Sequence, residues 1–417
     1  MADSSVKVLM VGGARTGKTS ILAGLYDTML CGEVREVIRL EDKTVRLSGQ
    51  ETMEDKIKSL KTIISNYQGR TFLVDDSQTR SFSKHIIEFI IPGTSNKMTI
   101  EFVDANGEFY ESKSDYDTGD TGDLISKEDI IKAVEESDIF IIAVDTPFLM
   151  EATNPDNELC TEPVNRAYNH VADVQHFLTY LDDKDGLDAK MVVFVPVKCE
   201  KWAHSGRINE VSERVKDVYS VVINNLSAYK NIEIDILPVE TAGSIEFSEH
   251  LEAYVCSGNG RVNSKCSFPE DQDIIRFSNG EVTPFNSRLY TIDDDPDARI
   301  SLFYNIIRPN SWFHLTGTEY KPHNCEQLAY FVLKFVLSKY LFMKRKKREF
   351  KIPEYREDWS VLINLLRLLV RLFVHFVSSL GTMSYEQLQK VVDTIESRKL
   401  MKQGVDGIVN IKKSLLN

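Results

Sequence analysis

Apolar positions recur along this chain in two rhythms, and they alternate. Residues 6–11 form a short apolar run that ends in glycines, and residues 19–30 read as a helix. Met53, Ile57, Leu60, Ile64 and Tyr67 fall at helical spacing. Residues 85–91 and 98–103 read as strands, with Pro92-Gly93 and Asn96-Lys97 turning the chain between them. That is the pattern of an antiparallel hairpin with one strand at a sheet edge. Residues 126–136 read as a helix with Ser126 as N-cap and Asp129 three positions on. Residues 138–144 are continuously apolar, as in a strand covered on both faces. A helix over 164–181, a strand over 191–197, a helix over 208–226 and a strand over 232–239 follow.

Strand–helix alternation of this kind predicts an α/β fold, a mostly parallel sheet with helices on both faces. The rhythm fails from 243 to 322, where Gly, Asn, Ser and Pro accumulate around an acidic knot, Asp293-Asp294-Asp295-Pro296-Asp297. This stretch reads as an insertion of short strands and long loops. Helical spacing returns over 324–342 and 358–380, and a last helix is expected over 384–399, opened by Ser384 with Gln387 three residues on.

Composition narrows the classes. The 417 residues are 42% hydrophobic and 27% charged, which suits a core-forming chain and excludes disorder as its main state. The net charge of −13 excludes a molecule that is basic overall, so no sequence-specific nucleic-acid partner is expected. None of the six cysteines is spaced C-x-x-C, and they read as reduced thiols of a cytoplasmic protein. Met1-Ala2-Asp3-Ser4-Ser5 shows no basic stretch leading into an apolar run, so no secretory leader is expected.

The chemistry begins at Gly12-Gly13-Ala14-Arg15-Thr16-Gly17-Lys18-Thr19, which fits G-x-x-x-x-G-K-[ST] between a predicted strand and a predicted helix. Backbone amides from Gly13 to Lys18 can wrap a phosphate, and the helix dipole beginning near Thr19 and Ser20 adds to the field. Lys18 can neutralise β- and γ-phosphate charge, and the Thr19 hydroxyl can ligate Mg²⁺. A second element is the strand that ends in Asp104-Ala105-Asn106-Gly107, followed by Glu108. Asp104 would hold the Mg²⁺ shell, and the Gly107 amide would sense the γ-phosphate.

With these two boxes the chain resembles a P-loop GTPase of the translation-factor and Ras-like class. The resemblance implies a base-recognition box at the end of the strand over 191–197, where the chain reads Val197-Lys198-Cys199-Glu200. Lys198 matches the lysine that lies along the purine. Glu200 stands where the family has Asp, and Val197 replaces Asn or Thr. A further loop, Thr241-Ala242-Gly243, resembles the one whose alanine amide meets guanine O6, with Gly243 departing from the pattern. The resemblance covers about residues 6–243, and joint order makes it more specific than any one box. It also implies a switch threonine that ligates Mg²⁺; Thr71, Thr79 and Ser81 are candidates, and Thr79 is taken here. About 85 residues separate Lys18 from Asp104, which implies an enlarged first switch carrying the helix near 53–67. Glu108 occupies the place of a water-orienting Gln, and a solvated acid beside a switch loop is the other reading open to it. Arg15 reaches phosphates or a partner chain, or is an exposed loop arginine. Residues 114–123 read as the mobile rest of the second switch.

The same resemblance assigns the helix over 324–342 to the core. It divides the chain into a GTPase domain over 1–345, with an insertion at about 244–322, and a C-terminal helical domain over 346–417. Lys344-Arg345-Lys346-Lys347-Arg348 reads as a favourable helix end or as a lipid- or nucleic-acid-binding patch. Residues 361–376 are apolar round most of the circumference, with Asn364, Arg367, Arg371, His375 and Ser378 in a polar stripe. Two arginines at mid-bilayer would cost about 2.5–3.5 kcal/mol each, which argues against a span and leaves a bundle helix, a partner-binding helix or a membrane-surface anchor. The expected protein binds GTP/GDP with Mg²⁺ and hydrolyses GTP, with Lys18, Glu108 and Arg15 as the catalytic set. It acts as a switch or assembly regulator for a protein partner, or self-associates, through its switch loops and C-terminal helices. Bacterial GTPases of the double-GTPase and conflict-system groups have a similar layout, which points to a defence role. A membrane-associated, dynamin-like GTPase and an ATP-using signalling module are the alternatives.

Overall fold

The computed structural model describes residues 5–13, 16–31, 39–42, 44, 53–66, 71–73, 83–90, 97–104, 127–157, 159–179, 181, 189–229, 231–251, 253–256, 274–277, 282–284, 310–348 and 407–412. Ala14, Arg15, Thr79, Gly107, Glu108, Ser126, the 114–123 tract and the predicted helices over 358–380 and 384–399 lie outside them.

In chain order the main sheet takes β1 (Ser5–Val11), β2 (Arg39–Asp42), β4 (Ser83–Ile90), β5 (Lys97–Asp104), β6 (Ile139–Asp145), β7 (Lys190–Val197), β8 (Ile232–Ile236) and β14 (Val409–Lys412). Across the sheet the order is β14-β8-β7-β6-β1-β5-β4-β2. The five strands from β8 to β5 run parallel, while β4, β2 and β14 pair antiparallel to their neighbours. The helices are α1 (Lys18–Cys31), α2 (Met53–Asn66), α3 (Lys127–Glu136), α4 (Thr146–Glu151), α5 (Glu162–Tyr168), α6 (Val171–Leu178), α7 (Glu200–His204), α8 (Ile208–Val218), α9 (Ser220–Ser227) and α10 (Cys325–Arg348). This is an α/β architecture with a mostly parallel sheet between helical layers, consistent with the P-loop NTPase fold.

The two-residue period of a strand sorts its side chains between those layers. Val6, Val8, Met10, Ile139, Ile141, Met191, Val193 and Val195 join one core with Ile21, Leu25 and Met29 of α1 and Leu328, Val332 and Val336 of α10. Leu9, Val11, Phe140, Ile142, Val192 and Phe194 join the other, with Val174 of α6, Trp202 of α7 and Val211 and Val215 of α8. Strands apolar on both faces are what a doubly covered parallel sheet requires.

Four elements depart from the sequence expectation. The helix expected over 164–181 breaks at Asn169-His170, where His170 takes a left-handed backbone, φ 48°. The helix expected over 208–226 divides at Tyr219 (φ −99°, ψ 15°). The hairpin's first strand, β4, is not the edge, because β2 pairs outside it. The helix expected over 324–342 runs on to Arg348, so the basic run Lys344–Arg348 forms its C-terminal end, one of the two readings given to that run.

Residues 409–412 join the main sheet as β14, antiparallel to β8. Gly407 N donates to Asn209 Oδ1 at 2.7 Å, and Asn410 Nδ2 to Asp235 Oδ1 at 2.6 Å. In the 244–322 stretch, β9 (Ile245–Leu251) and β13 (Asn310–Leu315) form a three-stranded sheet with β3 (Thr71–Leu73). A second small sheet joins β10 (Ala253–Cys256), β11 (Ile274–Phe277) and β12 (Val282–Pro284). Among the described residues no helix is long and apolar enough to cross a membrane.

Candidate functional site

The carboxyl ends of β1, β5, β6 and β7 converge on one turn. After β1 the chain bends through Gly12 (φ 144°) and Gly17 (φ 96°), two backbone conformations that side-chain-bearing residues rarely adopt. At both positions the neighbouring strands are also close. A Cβ on Gly12 would lie 3.0 Å from the Ala143 carbonyl oxygen of β6, and one on Gly17 3.3 Å from Val197 Cγ2 of β7. Thr16 Oγ1 donates to the Gly13 carbonyl at 3.0 Å, and Ile21 N donates to Gly17 O at 3.0 Å as α1 begins.

Lys18 opens α1 and folds back over the turn. Its Nζ donates to Gly12 O at 2.8 Å and to Gly13 O at 2.7 Å, and the residue is only 6% exposed. The turn thus encloses a cation. Beside it, Thr19 Oγ1 donates to Asp104 Oδ2 at 2.9 Å across 85 positions of sequence. Asp104 is fully buried, and its Oδ1 has no hydrogen-bond partner among the described residues. Burial pushes the Asp104 carboxyl above its ordinary value, and the Lys18 charge and the Thr19 hydroxyl pull it back.

An orphaned carboxylate oxygen next to a hydroxyl is a hard-oxygen donor pair suited to Mg²⁺. Among the described residues no group of three His, Cys, Asp or Glu side chains could hold a metal by itself. The pair therefore fits an ion that brings the rest of its shell from water and phosphate oxygens, as Mg²⁺ does.

The other half of the site lies at the ends of β7 and β8. Lys198 has a left-handed backbone (φ 60°), and its Nζ pairs with Asp145 Oδ2 at 2.6 Å. Glu200, 1% exposed, does not present its carboxylate to an open cleft. Glu200 Oε1 accepts from the Ala242 amide at 3.0 Å and from the Gly243 amide at 3.2 Å. The Ala242 carbonyl accepts from Lys321 N at 2.9 Å. The structure thus brings Lys18, Thr19 and Asp104 together, and separately Glu200, Ala242 and Gly243; Gly17 lies close beneath Val197, the last residue of β7, between the two.

Burial raises the Glu200 carboxyl from 4.5 to about 7, against the pull of the Ala242 amide. The unfolded chain releases this proton near the lower value and the folded chain near the higher. Between them the folded state binds more protons, so this group's contribution to stability falls as pH rises through that window and is flat on either side. Glu200→Gln keeps an acceptor for both amides and removes the titration. Urea midpoints at pH 5 and 7.5 are expected to shift in favour of the variant as pH rises, by on the order of 2 kcal/mol. Parallel profiles for the two proteins would refute the assignment.

Sequence reasoning missed His170, Asn169 and Asp145. Asp145 N donates to Asn169 Oδ1 at 2.6 Å, and Asn169 Nδ2 returns a bond to Asp145 O at 3.2 Å. This clamp holds the α5–α6 turn on the end of β6, with the His170 ring against Gly13. The signal was present as Asn-His, two residues that tolerate a left-handed backbone, inside a helical pattern.

No family model matches this chain, and no curated protein matches it. Among solved structures, the GTP-bound GTPase-like domain of S. cerevisiae Ski7 is similar at 13% identity and a TM-score of 0.29, over 57% of this chain and 43% of that one. The same domain with GDP and inorganic phosphate gives 12% and 0.29 over the same shares. The apo cytosolic domain of the T. maritima FeoB iron transporter gives 10% and 0.23, over 97% of this chain and 100% of that one. The chain spans less than half the length of the Ski7 structures it matches. Likeness of this degree assigns no activity.

Proposed function

We propose that this chain binds GTP and hydrolyses it in a Mg²⁺-dependent reaction, and that the bound nucleotide sets its conformation. The reading rests on one observation: Thr19 and Asp104, 85 positions apart, meet at 2.9 Å beside a glycine turn that already encloses a lysine. In this reading the ammonium of Lys18 leaves the two carbonyls for β- and γ-phosphate oxygens, and backbone amides from Gly13 to Ser20 take the remaining phosphate contacts. Thr19 and Asp104 would hold Mg²⁺, with Thr79 as the switch ligand, and the ion would supply neutralisation of phosphate charge. Gly107, Glu108 and Arg15 complete the proposed γ-phosphate and water-positioning set. Lys198, Glu200, Thr241 and Ala242 form the proposed base-binding set.

Conformational output has a physical route. Strand β3, between α2 and β4, pairs with β13, and β13 pairs with β9, which begins three residues after Ala242. Movement in the long segment between α1 and β5 would therefore reach the 244–322 insertion. The proposed partner is a protein, or a second copy of the chain, that reads this change; the layout shared with bacterial conflict-system GTPases supports a place in a defence system.

One observation favours a second reading, an ATP-using module. Glu200 Oε1 already takes the Ala242 and Gly243 amides, the donors that the O6 atom of guanine would need. Titrating the protein with fluorescently labelled GTP and ATP side by side separates the two. Tighter GTP binding by at least about tenfold is expected, the worth of one good hydrogen bond. Equal or reversed preference would move the assignment to ATP.

A further inference from the structure

The turn between α5 and α6 touches the phosphate loop through one side chain. A Cβ built on Gly13 would overlap His170 Cδ2 and Nε2 and lie 3.1 Å from Cγ. Gly13 does not occupy the left-handed region, unlike Gly12 and Gly17. Its backbone would accept alanine; the imidazole would not. The glycine at this position, which the phosphate-loop motif leaves unspecified, is required by a histidine more than 150 residues away.

That histidine is held from several directions. Its own backbone is left-handed, φ 48° and ψ 41°, a strained state for a residue with a side chain. Asn169, fully buried, locks the turn: its side chain bridges Asp145 N and O, and its carbonyl accepts from Tyr219 Oη at 2.9 Å. The His170 carbonyl accepts from Val174 N at 2.9 Å, and its Nδ1 lies 3.1 Å from Asp173 Oδ2, which sets the ring plane. On the other side of the contact, the Gly13 carbonyl accepts from both Thr16 Oγ1 and Lys18 Nζ. The ring thus bears on the residue whose carbonyl anchors the lysine.

We propose that His170 is a positioning residue of the phosphate loop. Its imbedded ring fixes the path of Gly13 and, through the Gly13 carbonyl, the resting place of Lys18. The inference rests on the nucleotide-site reading above and deepens it.

A size-complementation cycle tests it. The four proteins are wild type, Gly13→Ala, His170→Gly and the double variant. Glycine takes the backbone of residue 170 without strain, so the cycle does not depend on refolding that turn. Affinities are read with labelled GTP and labelled ATP in Mg²⁺, and thermal unfolding midpoints without nucleotide. Gly13→Ala is expected to weaken triphosphate binding by about 5- to 150-fold, the effect of forcing a methyl into a packed contact. His170→Gly is expected to weaken it less, and the double variant to bind no worse than His170→Gly alone. An equal loss from Gly13→Ala in both backgrounds overturns the proposal. So does a pattern in which affinities follow the unfolding midpoints and nothing more, because the ring would then be packing only. A wild type that binds neither nucleotide overturns the site reading, and this proposal with it.

Discussion

Replacing Lys18 by alanine is expected to cut affinity for a nucleoside triphosphate by about 10²- to 10⁴-fold while leaving the ligand-free fold intact. Two charge-assisted hydrogen bonds to phosphate oxygens, worth roughly 1.5–3 kcal/mol each, set this range. Stability should behave differently. In the turn Lys18 is 6% exposed, and its ammonium holds two carbonyls, 2.8 and 2.7 Å away. Burying a cation is a cost that those two bonds offset. Alanine gives up both the cost and the bonds, so the unfolding midpoint should move far less than the affinity. Lys18→Met, which keeps most of the volume, controls for collapse of the turn. Titration with labelled GTP and differential scanning calorimetry on the same preparations are the measurements. An affinity within about threefold of wild type would end the phosphate reading for this loop.

The second large effect is expected at Asp104. Asp104→Asn keeps the shape and an acceptor for Thr19 but removes the charge. The ratio of GTP affinity in Mg²⁺ to that in EDTA should fall by about 10- to 100-fold, in the range seen when a metal's supporting groups are changed. The stability of the ligand-free protein should respond with the opposite sign. Burial raises the folded carboxyl above its unfolded value of 3.8, so as pH rises the unfolded chain loses its proton first. The contribution of Asp104 to stability therefore falls across that window and stays lowered above it. Asparagine removes that fall, and the variant should match or exceed wild type in urea resistance at pH 7. A variant with an undiminished Mg²⁺ effect would show that the ion is held elsewhere.

Much of the site was readable from the residues because phosphate binding by a turn is local. The strand, the glycines, the lysine and the helix start are adjacent in sequence, and their order already contains the geometry. The strand ending in Asp104 was readable for a related reason: a strand-like run with Met98, Ile100, Phe102 and Val103 ends in an acid, with glycine three residues on, and that signal is also local. The pairing of Lys198 and Glu200 with Thr241-Ala242 could be placed at neighbouring strand ends. Their contact could not be foreseen in detail. Whether a glutamate, one methylene longer than aspartate, faces a ligand or reaches across to the next loop depends on a gap of a few ångströms. Here it reaches across, to Ala242 and Gly243.

By itself the chain's pattern determined the parallel sheet between two helical layers, the glycine turn after the first strand, and the strand ends that carry the charged residues. Each follows from the period of apolar side chains or from conformations that only glycine adopts readily, both of which are local properties. The tertiary structure decided what local rules do not encode. Periodicity over 164–181 is satisfied by one helix, and only the bonds from Asp145 and Tyr219 to Asn169 break it and swing His170 onto Gly13. Nothing in residues 409–412 distinguishes a free tail from a strand until β8 offers its open edge. Contacts between residues 150 or more positions apart are selected by complementary surfaces that exist only once the sheet has formed.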